Sequence, residues 1–233
     1  MNPDNPKSFV LASGSPRRSF LLKSAGFNFI IAPSDADENF PVNMPAEEVP
    51  AYLATVKAHA SRKSHPADVL ILTADTVVIS EGKILNKPVS EDEAVDMLMH
   101  LSGTSHKVIT AVAISSKGNI EIVSCTSDVY FRKLTPEQIH NYVRDFRPLD
   151  KAGAYGAQEC LPPDYNPCSK DENEFLEKMG LTGLLKESQP DAQLIKPMIA
   201  IDRIEGSFFN VMGLPLHLIT DKLNNLLYPR SQK

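Results

Sequence analysis

Phe9-Val10-Leu11-Ala12-Ser13-Gly14-Ser15-Pro16-Arg17-Arg18 is the stretch from which the architecture can be read. It holds an apolar run of strand length, then small residues for a tight turn, then a proline at the first position of a helix, where its missing N–H leaves no bond unmade. Ser15 stands where an N-cap belongs. Two arginines follow in the first helical turn, where cations oppose the helix dipole. Two readings stand side by side. One is a solvated basic helix start. The other is an anion site, in which free N–H groups and two guanidinium forks hold a phosphate.

Outward from this unit the same alternation continues. Ser19 to Ala25 extends the helix, with Gly26 as its C-cap, and Phe27 to Ile31 reads as a strand. A polar loop from Pro33 to Pro45 carries Asp35, Asp37 and Glu38. Ala46 to Lys63 reads as a helix with Val49, Leu53, Val56 and Ala60 on one face. Val69-Leu70-Ile71-Leu72 is a continuous apolar run, as in a strand covered on both faces. It delivers Thr73-Ala74-Asp75-Thr76 before Val77-Val78-Ile79 resumes the run. Glu81-Gly82-Lys83 reads as a turn into a return strand at Ile84-Leu85. Ser90 and Glu93 form a capping-box pattern for a helix ending at Leu101.

Lys107 to Ser115 and Ile120 to Arg132 predict an antiparallel hairpin around Lys117-Gly118-Asn119. Thr135-Pro136-Glu137 opens a helix ending near Phe146. Phe208 to Met212 reads as a last strand and Leu214 to Leu227 as a last helix. Helices and strands alternate while some neighbouring strands are hairpins, so the expectation is α/β with a mixed sheet. The domain expected is a single one over 8–229. Residues 159–196, rich in proline and acidic residues, read as an insertion, a mobile surface loop with one short helix at Glu172 to Lys178.

Composition narrows the classes. The chain has 233 residues and a net charge of −5, which argues against a general nucleic-acid surface. No apolar run approaches the roughly 20 residues that span a bilayer. Met1 to Lys7 lacks the apolar core of a secretory signal. Cys125, Cys160 and Cys168 suit neither a disulfide framework nor a zinc site. The expectation is a cytoplasmic protein with no membrane and no nucleic-acid partner.

The residues that carry chemistry are few. A carboxylate such as Asp75 at the end of a buried strand must be paired, metal-bound or protonated. Lys87 precedes a proline and so sits extended, and Lys57 lies among Ala54, Ala58 and Ala60. Each lysine alone reads as a solvated surface group. Taken together, Arg17, Arg18, Lys57 and Lys87 supply the charge to neutralise a polyphosphate, while Glu38 and Asp75 supply oxygen ligands of the kind magnesium takes. A carboxylate there can also activate a water for attack on phosphorus. Spacing does not show that these residues converge.

With these residues in view, the chain resembles the Maf family of nucleoside triphosphate pyrophosphatases. The resemblance rests on Leu11 to Arg18, Ala74-Asp75-Thr76, Lys87-Pro88, Leu101-Ser102-Gly103 with His106, Asp150 to Gln158, and Gly206 through Val211-Met212-Gly213-Leu214-Pro215, in that order along the chain. It implies a Maf-like, inosine-triphosphatase-like fold: an elongated mixed sheet flanked by helices, in two lobes around a cleft. It implies hydrolysis of a nucleoside triphosphate to the monophosphate and pyrophosphate, with Mg2+ or Mn2+ as cofactor and Asp75 as general base. Glu38 and Asp75 fall on metal positions. Ser13, Arg17, Arg18, Lys57, Thr76, Lys87 and Gln158 fall on substrate positions, of which Arg17, Thr76 and Gln158 are tied to base selection. Tyr155-Gly156-Ala157-Gln158 is similar to the branch acting on dTTP and UTP, and a homodimer is expected on the same ground.

Two departures stand out. Thr73 replaces the glycine that commonly precedes the Ala-Asp-Thr triad, and Glu159-Cys160 opens the long segment where a glycine-rich turn is usual. His106 reads as structural, and Lys151 beside Asp150 as a local ion pair. The alternatives are a non-catalytic nucleotide-binding regulator of cell division, and the same reaction with another base preference such as 7-methyl-GTP.

Overall fold

The computed structural model describes residues 7–162, 165–188 and 198–229. The readings made on Met1–Pro6 and on residues 163–164 and 189–196 lie outside them. Seven strands form one mixed sheet in the order β2-β1-β3-β5-β6-β7, with β4 paired to β3 off this path. They are β1 (Ser8–Leu11), β2 (Asn28–Ile31), β3 (Ile71–Ser80), β4 (Lys83–Leu85), β5 (Ser105–Ser116), β6 (Asn119–Phe131) and β7 (Ile201–Glu205). The helices are α1 (Pro16–Ser24), α2 (Val49–Arg62), α3 (Glu91–Leu101), α4 (Pro136–Phe146), α5 (Lys170–Met179), α6 (Leu184–Ser188), α7 (Phe208–Val211) and α8 (Leu216–Leu227). Among the described residues no helix is long and apolar enough to cross a membrane. The chain divides into two compact units.

The first unit comprises Met1–Asp75, Thr110–Cys125 and Gly213–Lys233. Its strands β1 and β2 are parallel, and so are β1 and β3, the arrangement expected when helices connect successive strands. Phe9, Leu11, Leu21, Leu22 and Ile71 are buried in it, and the Phe9 ring meets Phe27 edge-on. Gly26 takes φ +80°, and Phe27 N–H closes α1 on the Leu22 carbonyl, a Schellman-type ending. Ser15 departs from the expected cap. Its side chain caps nothing, and its own N–H donates to Ser13 Oγ at 3.3 Å.

Helix α2 buries Val49 and Leu53 as expected, but its inward face is rotated from the one expected. Val49, Leu53, Ala54, Ala58 and Ser61 are buried, while Val56 and Ala60 are only half-buried. Ala54 and Ala58 pack on Ala111 and Ala113 of β5. Methyl-sized side chains on both surfaces let helix and strand approach closely, and that rotation presents Lys57 along β3.

The second unit comprises Thr76–Ile109 and Thr126–Met212. Helix α3 carries its expected Ser90 cap, but the Glu93 carboxylate accepts from Val89 N–H rather than Ser90 N–H. The expected last strand at Phe208 to Met212 is instead the short helix α7, capped by the Ser207 side chain on Asn210 N–H. The strand lies earlier, as β7, antiparallel to β6. Four apolar residues around Asn210 fit either period, and Ser207 with a buried carboxylate at its side decides for helix. Residues 165–188 hold two helices, α5 and α6, where one was expected. Helix α5 begins with a complete capping box, Ser169 with Glu172.

Candidate active site

Asp75 does not end its strand. Strand β3 runs unbroken from Ile71 to Ser80, and Asp75 lies within it, on the same face as Thr73 two residues before. Helix α2 covers that face. Thr73 Oγ1 donates to the Ala54 carbonyl at 2.6 Å, so its hydroxyl fastens the strand to the helix. One turn further along α2, Lys57 Nζ reaches Asp75 Oδ1 at 2.6 Å and Glu38 Oε1 at 3.1 Å. The lysine and Asp75 side chains are 12% and 11% exposed, Glu38 58%. The loop bearing Glu38 is tied to the same helix by Ser34 Oγ on the Lys57 carbonyl.

The electrostatics follow from burial. Asp75 is pushed above the ordinary carboxylate range by desolvation, a shift that Lys57 and then Arg18 oppose and Glu38 reinforces. Arg18 is brought down to about 10 by its own burial, with Asp75 working the other way. Its guanidinium spans three chain segments. Nε donates to the Gly213 carbonyl at 2.8 Å, and Nη1 donates to Ser13 Oγ at 3.0 Å and to the Ala74 carbonyl at 2.8 Å. Arg18 therefore locks the start of α1 to the residue preceding Asp75. A planar fork suits this work in a way that a lysine does not.

The first unit thus gathers Ser13, Arg18, Glu38, Lys57 and Asp75. Arg17 stands in the first turn of α1, half-buried. Thr76, Lys87 and Gln158 belong to the second unit. There Lys87 is exposed, and its neighbour Asn86 accepts a hydrogen bond from Gly153 N–H at 3.3 Å, so the Lys87 segment adjoins the loop that leads to Gln158. Gly153 takes φ +69°, and a Cβ there would stand 3.1 Å from Val78. Only glycine fits the position without strain.

Gln158 sits on a 3-10 turn spanning Ala157–Glu159. Its Oε1 is buried and accepts no hydrogen bond. His106 is buried, as its structural reading requires, with Nε2 2.7 Å from Tyr155 Oη. Burial holds its pKa down to about 4. Lys151 makes the expected pair with Asp150 at 2.9 Å and also lies 3.6 Å from Glu159.

Three residues of this region escape sequence reasoning. Tyr142 reads as one apolar position of α4, Glu159 as the first residue of an insertion, and Glu172 as a helix-start acid. All three are buried or nearly so: the Tyr142 hydroxyl bonds Glu159 and Gly156, the Glu159 carboxylate accepts from Tyr142 and pairs with Lys151, and the Glu172 carboxylate accepts several hydrogen bonds. Of the three, only Glu172 carries a sequence signal, its place three residues after Ser169.

A model of the family described as Maf-like protein matches residues 8–162, more than half of the chain. The chain belongs to the Maf-like family. A protein of Cytophaga hutchinsonii named dTTP/UTP pyrophosphatase is 37% identical over 94% of this chain and 84% of its own length. A Porphyromonas gingivalis protein of the same name is 40% identical over 95% of this chain and 96% of its own. An Acetivibrio thermocellus protein, again dTTP/UTP pyrophosphatase, is 37% identical over 93% of this chain and 94% of its own. In this Maf-like chain two carboxylates share one ammonium. Among the described residues no group of three or more His, Cys, Asp or Glu is placed to hold a metal ion.

Proposed function

We propose that this Maf-like chain hydrolyses dTTP and UTP to the nucleoside monophosphate and pyrophosphate, with Asp75 as general base. The observation that carries the reading is Asp75 itself: a nearly buried carboxylate held at 2.6 Å from Lys57. A purely structural ion pair needs no raised carboxylate pKa, whereas a base that must take a proton near neutral pH gains from one. The names of the relatives support the substrate class.

In this scheme Asp75 removes a proton from a water, and the water oxygen forms a bond to the α-phosphorus. The bond from that phosphorus to the oxygen bridging the β-phosphate breaks, and pyrophosphate leaves with the electron pair. Lys57, Arg17 and Lys87 offset the charge of the phosphates, while Arg18 keeps the start of α1 in register with Asp75. Such chemistry depends mainly on positioning and charge neutralisation.

A divalent cation fits the donor set. Glu38 and Asp75 already share a cation, the Lys57 ammonium, and magnesium is typically bound by one or two carboxylates together with substrate phosphates. Those two residues would hold Mg2+ or Mn2+, which would supply charge neutralisation at the phosphate oxygens. Base preference rests on Gln158. Its buried, unpartnered Oε1 calls for a donor. The ring N3–H of uracil and thymine supplies one, whereas cytosine presents an acceptor there.

The test is pyrophosphate release across dTTP, UTP, CTP, 7-methyl-GTP and the purine triphosphates. Strong turnover of dTTP and UTP is expected, with a loss of about 10²–10⁴-fold in Asp75→Asn, the usual contribution of a general base. Folded Asp75→Asn protein with full activity would overturn the assignment of the base.

A further inference from the structure

The turn that carries Gln158 is held by groups that no part of the reaction scheme uses. Tyr142, from α4, is 2% exposed. Its hydroxyl donates to Glu159 Oε2 at 2.5 Å and accepts from Gly156 N–H at 2.9 Å. The opposite oxygen of Glu159 lies 3.6 Å from Lys151 Nζ, and both side chains are largely buried, at 12% and 9% exposed. The Glu159 carboxylate lies flat against Gly156, where a Cβ would come within 2.6 Å of its carboxyl carbon. Glu159 N–H in turn bonds back to the Gly156 carbonyl at 3.0 Å, closing the turn that carries Gln158. One phenol therefore grips the turn at both ends, at Gly156 and at Glu159, with Gln158 between them. On the near side, Tyr155 is fixed by His106 and by edge-on packing against Phe131.

We propose that Tyr142 and Glu159 are positioning residues for base selection: they fix the turn so that the Gln158 Oε1 faces the N3–H of a uracil or thymine ring. The inference rests on the reading of Gln158 given above. A buried acceptor discriminates only when it cannot turn away. A free amide would rotate and offer its NH2 to cytosine, and the selectivity of the site would be lost. The Tyr142–Glu159 bond, to a charged acceptor in a dry setting, is of the strong kind that can fix the backbone of this turn, and with it the place from which the Gln158 side chain reaches the ring.

The experiment measures kcat and KM for UTP and CTP in wild type, Tyr142→Phe, Glu159→Gln and Gln158→Ala, with melting curves for each. Tyr142→Phe keeps the ring and removes both bonds. The UTP-to-CTP ratio of kcat/KM is expected to fall about tenfold, the equivalent of about 1.4 kcal/mol. The change should lie in KM, with kcat for UTP held within about threefold. Glu159→Gln keeps an acceptor for the phenol and is expected to hold the ratio within about threefold of wild type. Should Tyr142→Phe not fold, Gly156→Ala, whose methyl group displaces the Glu159 carboxylate, takes its place with the same expected ratio. A uniform drop in kcat on both substrates would show a merely structural role and overturn the proposal. If Gln158→Ala collapses the ratio while folded Tyr142→Phe leaves it intact, the positioning role fails and the base reading stands. If Gln158→Ala also leaves the ratio intact, both fall.

Discussion

Glu172 offers a direct test of what holds the 165–188 segment in place. Its side chain is fully buried and accepts from Ser169 N–H at 2.9 Å, Ser207 Oγ at 2.6 Å, Phe208 N–H at 3.0 Å and Phe209 N–H at 2.9 Å. It thereby caps its own helix, α5, and the first turn of α7 at once. In Glu172→Ala the Phe208 and Phe209 N–H groups, both on fully buried residues, lose this acceptor, at about 1–3 kcal/mol each. Relief of the buried charge offsets part of that loss, leaving a net destabilisation of about 2–4 kcal/mol. For a chain of this length the melting temperature falls by roughly 2–4 °C per kcal/mol, so a drop on the order of 8 °C is expected. The assay is thermal unfolding of Glu172→Ala and Glu172→Gln beside Glu177→Ala, which removes an exposed acid from the same helix and should change little. Glu172→Gln keeps one carbonyl acceptor and should fall between. A Glu172→Ala protein melting within about 2 °C of wild type would refute the reasoning, since that is less than 1 kcal/mol on the same scale.

Two further outcomes concern pH. His106 has its pKa lowered from 6.5 to about 4 by burial, so the fold favours the neutral ring. Its contribution is complete above 6.5 and is lost as pH falls from 6.5 toward 4, about 3 kcal/mol in all. Denaturant melts at pH 7 and pH 4.5 should show this loss in wild type and a flatter dependence in His106→Phe, and identical slopes would sink the assignment. Asp75 is shifted upward, chiefly by burial. The folded state therefore holds its proton more tightly, and stability is lost as pH rises from 3.8 through the folded value. Asp75→Asn should melt no lower than wild type at neutral pH. The acid limb of kcat/KM should lie above the ordinary carboxylate range and move higher in Lys57→Met, where the ammonium opposing the shift is gone. A limb that stays put or moves down would show that another group sets it.

The order of strands and helices was largely legible because burial writes itself into local pattern. Continuous apolar runs mark β3, a Lys117-Gly118 turn marks the β5–β6 hairpin, and caps such as Ser90 and Thr135 mark helix starts. The exceptions are instructive. Phe208 to Met212 is apolar enough for either period, and its helix is decided by a carboxylate 36 residues earlier in the chain. The inward face of α2 is only partly legible, with Val49 and Leu53 buried as expected, because alanine is a weak hydrophobic signal and yet Ala54 and Ala58 are what close packing against β5 requires.

The sequence by itself determined the chemistry available: basic residues after a strand–turn, a carboxylate in a buried strand, a glutamine after a glycine-containing loop, and the family that combines them. Only the tertiary structure decided how those groups are employed. Asp75 and Glu38 share Lys57 because Thr73 fastens α2 to β3 and a set of alanines packs α2 on the neighbouring β5. Arg18 donates to the Gly213 and Ala74 carbonyls, and the turn that carries Gln158 is bonded at Gly156 and Glu159 by a phenol from α4. These are bonds between residues distant in sequence, whose partners leave no periodic or local trace, so burial and hydrogen-bond satisfaction fix them only when the chain has closed on itself.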